Sequence, residues 1–300
     1  MSEQILILGD FTLKSLLGKG HRSEVRVGEC GTKEYAVKCL KRLGNKLYDA
    51  ESYKCYLNEV KMAKPLIHPH IVSIITYGDH YILNTDNNNT ESSMYIVFEY
   101  AKGGSLFDFV RRTGLLSEQL ARHYFNAILE AVSYLHSSGI AHRDIKPQNI
   151  LLNSSLEILL ADFDLASPIG NYKGVVGTSG YMAPEIEGHK VYSAEKADIF
   201  AVGVVLFFMV VGKNPFTGTI LNANYNAFWA HNSKFWKRFD KNNNYSLEFK
   251  SLIEKLLEHD PDERITLEEI KKHAWMQKQA ISELELTIEK VLRKENLNMK

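Results

Sequence analysis

The chain has 300 residues, of which 45% are hydrophobic and 24% charged, an ordinary balance for a folded globular protein of one large domain or two modest ones. Its 36 basic and 36 acidic side chains cancel, which argues against a nucleic-acid partner, because that affinity rests on a basic face. The longest apolar stretch, residues 199–211, falls short of the roughly 20 residues a membrane span takes, so it reads as a buried helix and no membrane partner is expected.

Three cysteines, Cys30, Cys39 and Cys55, lie in the first fifth of the chain. Their number is odd, and neither a C-x-x-C spacing nor a histidine cluster accompanies them. They read as free thiols in a reducing, cytoplasmic compartment and not as a zinc site. The apolar run at residues 5–8 has no cationic start and no small-residue cleavage site, so it reads as a strand and not as a signal peptide.

The first hundred residues carry the pattern of strands. Segments 11–17, 24–29, 34–40, 71–77 and 94–99 are rich in β-branched and aromatic residues, with glycine between several of them. A helix interrupts them at about 53–64, where Tyr56, Val60 and Ala63 recur at helical spacing and Pro65 follows. The polar stretch 84–93 and the Asn-rich stretch 222–244 read as surface insertions.

From Ser117 onward the pattern is helical. Ala121, Phe125, Ile128, Leu129, Val132 and Leu135 form one apolar stripe, and Gly139 lies just past its end. Further helices are expected at 197–211, 247–257, 267–276 and 282–292. The last opens on a capping box, Ser282 with Glu285, and carries an apolar stripe of Ile281, Leu284, Ile288, Val291 and Leu292. The fold expected is α+β, with two lobes: a small β-rich one and a larger, mainly helical one. Asp240, Asn242 and Asn244 imitate the first ligands of a calcium loop. Tyr245 replaces its turn glycine and Ser251 its bidentate glutamate, so no calcium site is expected.

The residues that carry chemistry follow in order. Leu17-Gly18-Lys19-Gly20-His21-Arg22-Ser23-Glu24-Val25 joins two strands, and its glycines let the backbone turn tightly with N–H groups toward phosphates. A Gly-x-Gly hairpin by itself is more often only a hairpin. Tyr35-Ala36-Val37-Lys38 sets a lysine in an apolar strand, where burial would demand a partner, and Glu59 on the next helix is the candidate. His142-Arg143-Asp144-Ile145-Lys146-Pro147-Gln148-Asn149 precedes Ala161-Asp162-Phe163-Asp164. Together these supply what phosphoryl transfer asks of a protein. Asp144 can orient and accept a hydroxyl proton, Lys146 can neutralise the moving phosphate, and Asn149 and Asp162 offer oxygen ligands to Mg²⁺.

On these motifs, with Ala183-Pro184-Glu185, Asp198-x-Phe200-x-x-Gly203 and Arg264, the chain resembles a eukaryotic protein kinase across residues 11–276. Lys146 and Gly177-Thr178-Ser179-Gly180-Tyr181 resemble the serine/threonine branch. Gly103-Gly104-Ser105-Leu106-Phe107-Asp108, Arg264-Ile265-Thr266 and His273-Ala274-Trp275 look most like the calcium/calmodulin-dependent group. The resemblance implies a kinase domain over 1–276, with an N-lobe to residue 99 and a hinge and C-lobe beyond it. It implies ATP and Mg²⁺ between the lobes and a protein substrate. Lys38, held by Glu59, would contact the phosphates. The glycine loop from Leu17 to Val25, Ala36, Leu151 and the backbone of Glu99 and Ala101 would surround the nucleotide, with Phe98 behind it. Glu185 would pair with Arg264. Residues 277–300 would add an amphipathic helix, either autoregulatory or partner-binding, or simply resting on the large lobe.

The chain departs from that family pattern at three points. Ser23 replaces the third glycine of the loop, and Asp164 replaces the glycine after Asp162-Phe163. The usual regulatory phosphosite falls on Gly174, so Arg143 lacks its customary phosphate. Either the segment is ordered without one, or Tyr172 or Ser167 substitutes. The competing reading is a pseudokinase scaffold, against which stand the retained Lys38, Asp144 and Asp162.

Overall fold

The structure, a computed structural model, describes residues 6–8, 10–20, 22–40, 50–78, 82–84, 90–92, 94–188, 190–216, 232–239 and 245–298. His21, the centre of the 84–93 stretch, most of the 222–244 stretch and the calcium-like Asp240, Asn242 and Asn244 lie outside the described residues. The chain divides into two compact units, Met1–Lys102 and Gly103–Lys300.

The first unit is built on an antiparallel sheet of six strands in the order β1-β2-β3-β4-β8-β5. These are β1 Leu6–Leu8, β2 Phe11–Lys19, β3 Ser23–Cys30, β4 Lys33–Leu40, β5 Ile74–Gly78 and β8 Tyr95–Glu99. The apolar run near the N-terminus is therefore a strand, β1, paired with β2. On β4 the two-residue period sends Val37 and Cys39 into a core with Leu8, Leu13 and Val97. Ala36 and Lys38 consequently face the other side of the sheet. The flanks of the polar 84–93 stretch pair with each other, as β6 Ile82–Asn84 and β7 Thr90–Ser92. Helix α1, Ala50–Ala63, buries Tyr56, Glu59, Met62 and Ala63, and the Tyr56 hydroxyl donates to the Gly78 carbonyl at 3.0 Å.

The second unit is mainly helical: α2 Leu106–Thr113, α3 Glu118–Ser137, α4 Pro184–Glu187, α5 Ala194–Val211, α6 Asn232–Phe239, α7 Leu247–Leu256, α8 Leu267–Lys272 and α9 Glu283–Asn298. Ser117 caps α3 by accepting from the Leu120 N–H, and every residue of the expected α3 stripe is buried. Helix α5 is apolar on all sides and correspondingly central. At Gly203 a Cβ would come within 2.7 Å of Leu256 Cβ, so glycine is what lets α5 and α7 approach. Among the described residues no helix is long and apolar enough to cross a membrane.

Helix α9 carries the expected capping box, Ser282 and Glu285 each bonding the other's backbone N–H. It rests on the large unit, but not through its apolar stripe. Leu284, Ile288, Val291 and Leu292 stay 49–71% exposed. The inward face centres instead on buried Arg293, which lies over the Phe109 ring and donates to Thr113 Oγ1 (2.8 Å), Gly114 O (3.0 Å) and Leu115 O (3.0 Å). Lys290 pairs with Glu157 beside it. Gly114 and Leu115 follow directly on the end of α2, and an arginine reaching across satisfies their carbonyls. Arg293→Ala is therefore expected to cost about 2 kcal/mol, whereas exposed Ile288→Ala costs less than about 0.5. Thermal denaturation of the two variants checks the order, and equal loss from both would refute the polar docking.

Candidate active site

In the small unit Lys38 Nζ lies 2.8 Å from Glu59 Oε2, the two side chains being 15% and 3% exposed. The strand lysine thus has the buried carboxylate that its position demanded. Strand register sets Gly18 opposite Val25, Val25 opposite Lys38, and Ala36 opposite Phe98. The hairpin turn closes through the Gly20 N–H and the Ser23 carbonyl at 2.9 Å. Neither Gly18 nor Gly20 has positive φ, and a Cβ at Gly18 would meet nothing within 4 Å. The chain's own packing does not require glycine there.

Other loop residues are tied down locally. Arg22 pairs with Glu51 at 2.5 Å and reaches Cys55, anchoring the loop to α1. Glu24 bonds Arg26. Leu17 and Lys19 are exposed, and Ser23 begins β3. The Glu99 N–H is committed to the Ser73 carbonyl at 3.1 Å, so its backbone donor is not free for a ligand. Ala101 is buried.

In the large unit the functional groups converge on Asp144. Its Oδ1 accepts from the Thr178 hydroxyl (2.7 Å), and its Oδ2 accepts from Lys146 Nζ (2.6 Å) and Asn149 Nδ2 (3.1 Å). Lys146 also donates to Thr178 Oγ1 at 2.8 Å. Asn149 ends a short 3₁₀ turn, Pro147–Asn149, and its amide donates a second time to the Asp144 carbonyl at 2.9 Å. The Asn149 carbonyl in turn accepts from Ala161 N–H, which brings the neighbouring Asp162 alongside. Leu151, on the strand Ile150–Leu152, is half-exposed between two buried neighbours.

A buried scaffold holds this loop. Asp198 Oδ1 accepts from the Arg143 N–H (2.8 Å), while Oδ2 accepts from the His142 N–H (2.8 Å) and lies 3.0 Å from His136 Nε2. These bonds stabilise Arg143 at φ 67°, a conformation unfavourable for a residue with a Cβ. The Asp144 N–H donates to His142 Nδ1, which assigns the remaining proton to Nε2, donated to the Ala161 carbonyl at 3.1 Å. One imidazole therefore links the catalytic loop to the strand leading into Asp162. Glu185 and Arg264 form a buried bidentate pair at 2.8 and 2.9 Å.

The strained residue near the metal-ligand candidate is Asp162 itself, at φ 70°. Asp164, which stands where the family has glycine, does not have positive φ. An L-residue fits there without strain. Asp164→Gly is accordingly expected to lower stability by about 0.4–1 kcal/mol through a freer unfolded chain, and to speed proteolysis of the segment. Unchanged thermal stability together with unchanged cleavage would contradict this.

Sequence reasoning used Thr178 and Asp198 only as pattern markers. The structure gives the first a hydroxyl shared by Asp144 and Lys146, and the second two hydrogen bonds to the loop and one to His136 on α3. For Asp198 a signal existed: a carboxylate directly ahead of the apolar run 199–211 has to find donors. Thr178 offered none, because its partners lie 34 and 32 residues away.

The protein kinase domain family matches residues 11–276. The chain is 31% identical to CBL-interacting protein kinase 11 of Oryza sativa subsp. japonica, over 93% of this chain and 53% of that protein. It is 32% identical to probable serine/threonine-protein kinase MARK-A of Dictyostelium discoideum, over 90% and 24%. With serine/threonine-protein kinase SIK2 of Gallus gallus it shares 33% over 91% and 32%. The chain spans about half the length of the first of these relatives and less of the other two. With the family's domain matching most of its length, the chain belongs to the protein kinase family.

Proposed function

We propose that the chain is an active serine/threonine protein kinase that transfers the γ-phosphate of ATP to a protein hydroxyl. The observation that carries this reading is the Asp144 carboxylate, fixed by Thr178, Lys146 and Asn149. A carboxylate so held can orient a substrate hydroxyl and take its proton. Lys146 adds a positive charge where negative charge builds up, and Lys38, set by Glu59, holds phosphates. The branch is supported by relatives named as serine/threonine-protein kinases.

Magnesium fits the donor set. Asn149 and Asp162 offer one amide oxygen and one carboxylate, and Mg²⁺ is usually held by one or two protein oxygens together with substrate phosphates and water. When bound, it would neutralise phosphate charge. Because both amide hydrogens of Asn149 point at Asp144, its Oδ1 is turned away from that carboxylate. Among the described residues no cluster of three His, Cys, Asp or Glu forms a metal site, so a protein-only cage is not part of the proposal.

The three free cysteines support a cytoplasmic setting. ATP and a protein substrate are the partners proposed, with neither nucleic acid nor membrane. The outward stripe of α9 supports an autoregulatory or partner-binding role for the tail.

The deciding experiment is ATP turnover by the purified protein, with Mg²⁺ and a generic serine/threonine substrate. Phosphate on substrate serine or threonine is the expected result. Binding of Mg·ATP without transfer would favour the scaffold reading instead.

A further inference from the structure

Next in sequence to the Asp144 carboxylate stands the Arg143 cation. Among the described residues the Arg143 guanidinium makes no ion pair, and its Nε is buried without a hydrogen bond. What faces it is the ring of Tyr172, 4.5 Å from the guanidinium carbon to the ring centroid. Tyr172 is pinned from two sides. Its hydroxyl donates to the Pro168 carbonyl at 2.6 Å, and its backbone pairs antiparallel with Tyr192, the two rings 6.4 Å apart. Tyr192 is 2% exposed. Burial pushes its phenol above the ordinary range, and Arg143 partly offsets this through its charge and a side-chain hydrogen bond to the hydroxyl. Arg143 therefore lies against two neutral aromatic residues.

The other positions weighed for a phosphate are poorly placed. Ser167 is 6% exposed and donates to the Pro168 carbonyl. Gly174 turns at φ 105°, a conformation L-residues rarely adopt. A delocalised, weakly hydrated guanidinium is well suited to an aromatic face, and the attraction grows as water is excluded.

We propose that Tyr172 is a positioning residue, its ring face standing in for an anion on Arg143 and holding the loop that presents Asp144 without phosphorylation of the segment. The inference rests on the kinase reading above. Gly177 shows how closely segment and loop are laid together, since a Cβ there would meet the Arg143 carbonyl at 2.9 Å.

The test compares wild type with Tyr172→Phe, Tyr172→Leu and Tyr172→Ala in full-length protein, with intact-mass analysis of phosphorylation. Wild type should be active with no phosphate on residues 162–185, and phosphatase treatment should leave its rate unchanged. Tyr172→Ala and Tyr172→Leu should lose roughly 3- to 30-fold in kcat, with KM for ATP within about twofold, the range that cation–π contacts supply between exposed and desolvated sites. Tyr172→Phe should stay within about twofold of wild type. The leucine variant retains bulk, so it carries the test if alanine unfolds the protein. Wild-type kcat in the leucine variant would overturn the proposal. So would a phenylalanine variant as slow as leucine, or a phosphatase-sensitive wild type. A wild type that transfers nothing would instead sink the kinase reading itself.

Discussion

Asp144→Asn is expected to cut kcat by about 10²–10⁴-fold, the usual contribution of a positioned proton acceptor. The substitution keeps the shape of the side chain and removes its charge and half of its accepting capacity. Three donors converge on this carboxylate, from Thr178, Lys146 and Asn149. An asparagine amide would direct its own N–H groups at one of them, so either Thr178 rotates or Lys146 loses its partner. The loss should therefore appear in kcat, with KM for ATP little altered, because no nucleotide contact is assigned to this residue. Steady-state kinetics with a peptide substrate, alongside a thermal melt to establish folding, measures both quantities. A folded variant retaining more than about a tenth of wild-type kcat would remove Asp144 from the role of acceptor.

Arg264→Met should be the most damaging single change to stability, at about 3–5 kcal/mol. All five guanidinium N–H groups have partners: two on Glu185, two on the Glu258 carbonyl and one on the Lys196 carbonyl. The cation also lies over the Phe200 ring at 5.1 Å. Methionine would leave Glu185 charged and buried with nothing to pair it. Against a total stability of roughly 5–15 kcal/mol, that is a large share. Adding Glu185→Leu to the same protein should recover part of the loss, because replacing both buried charges by apolar groups avoids the uncompensated one. Chemical denaturation of the two variants decides the matter. A single variant as stable as wild type, or a double variant weaker than the single, would show that desolvation is not the dominant cost.

Much of the large unit's chemistry was legible because its catalytic residues are close in sequence. Asp144, Lys146 and Asn149 lie within six consecutive positions, and the turn that brings them together is local. The apolar strand around Lys38 likewise called for a buried carboxylate, and Glu59 supplies it. Thr178 was invisible for the opposite reason, since its role exists only once two distant loops meet. Helix α2 was missed because eight residues give little periodicity, although Ser105 with Asp108 marks its start. The α9 helix was found, but its orientation was not anticipated. Counting apolar positions gives a face without saying what the neighbouring surface lacks. Here the neighbour offered two carbonyls and a hydroxyl, and an arginine decided which way the helix turned.

That orientation bears on where the folding unit of this chain stops. The family's shared domain matches only to residue 276, yet the seam against the large unit runs on to the helix end. Arg122 donates to the Gln279 carbonyl, Gln119 to that of Ala280, and Arg112 to that of Leu297. A chain shortened at the family boundary would lose the cap on α2 and expose the Phe109 ring beneath Arg293. A chain ended at residue 276 is thus expected to melt at a lower temperature than one that carries α9.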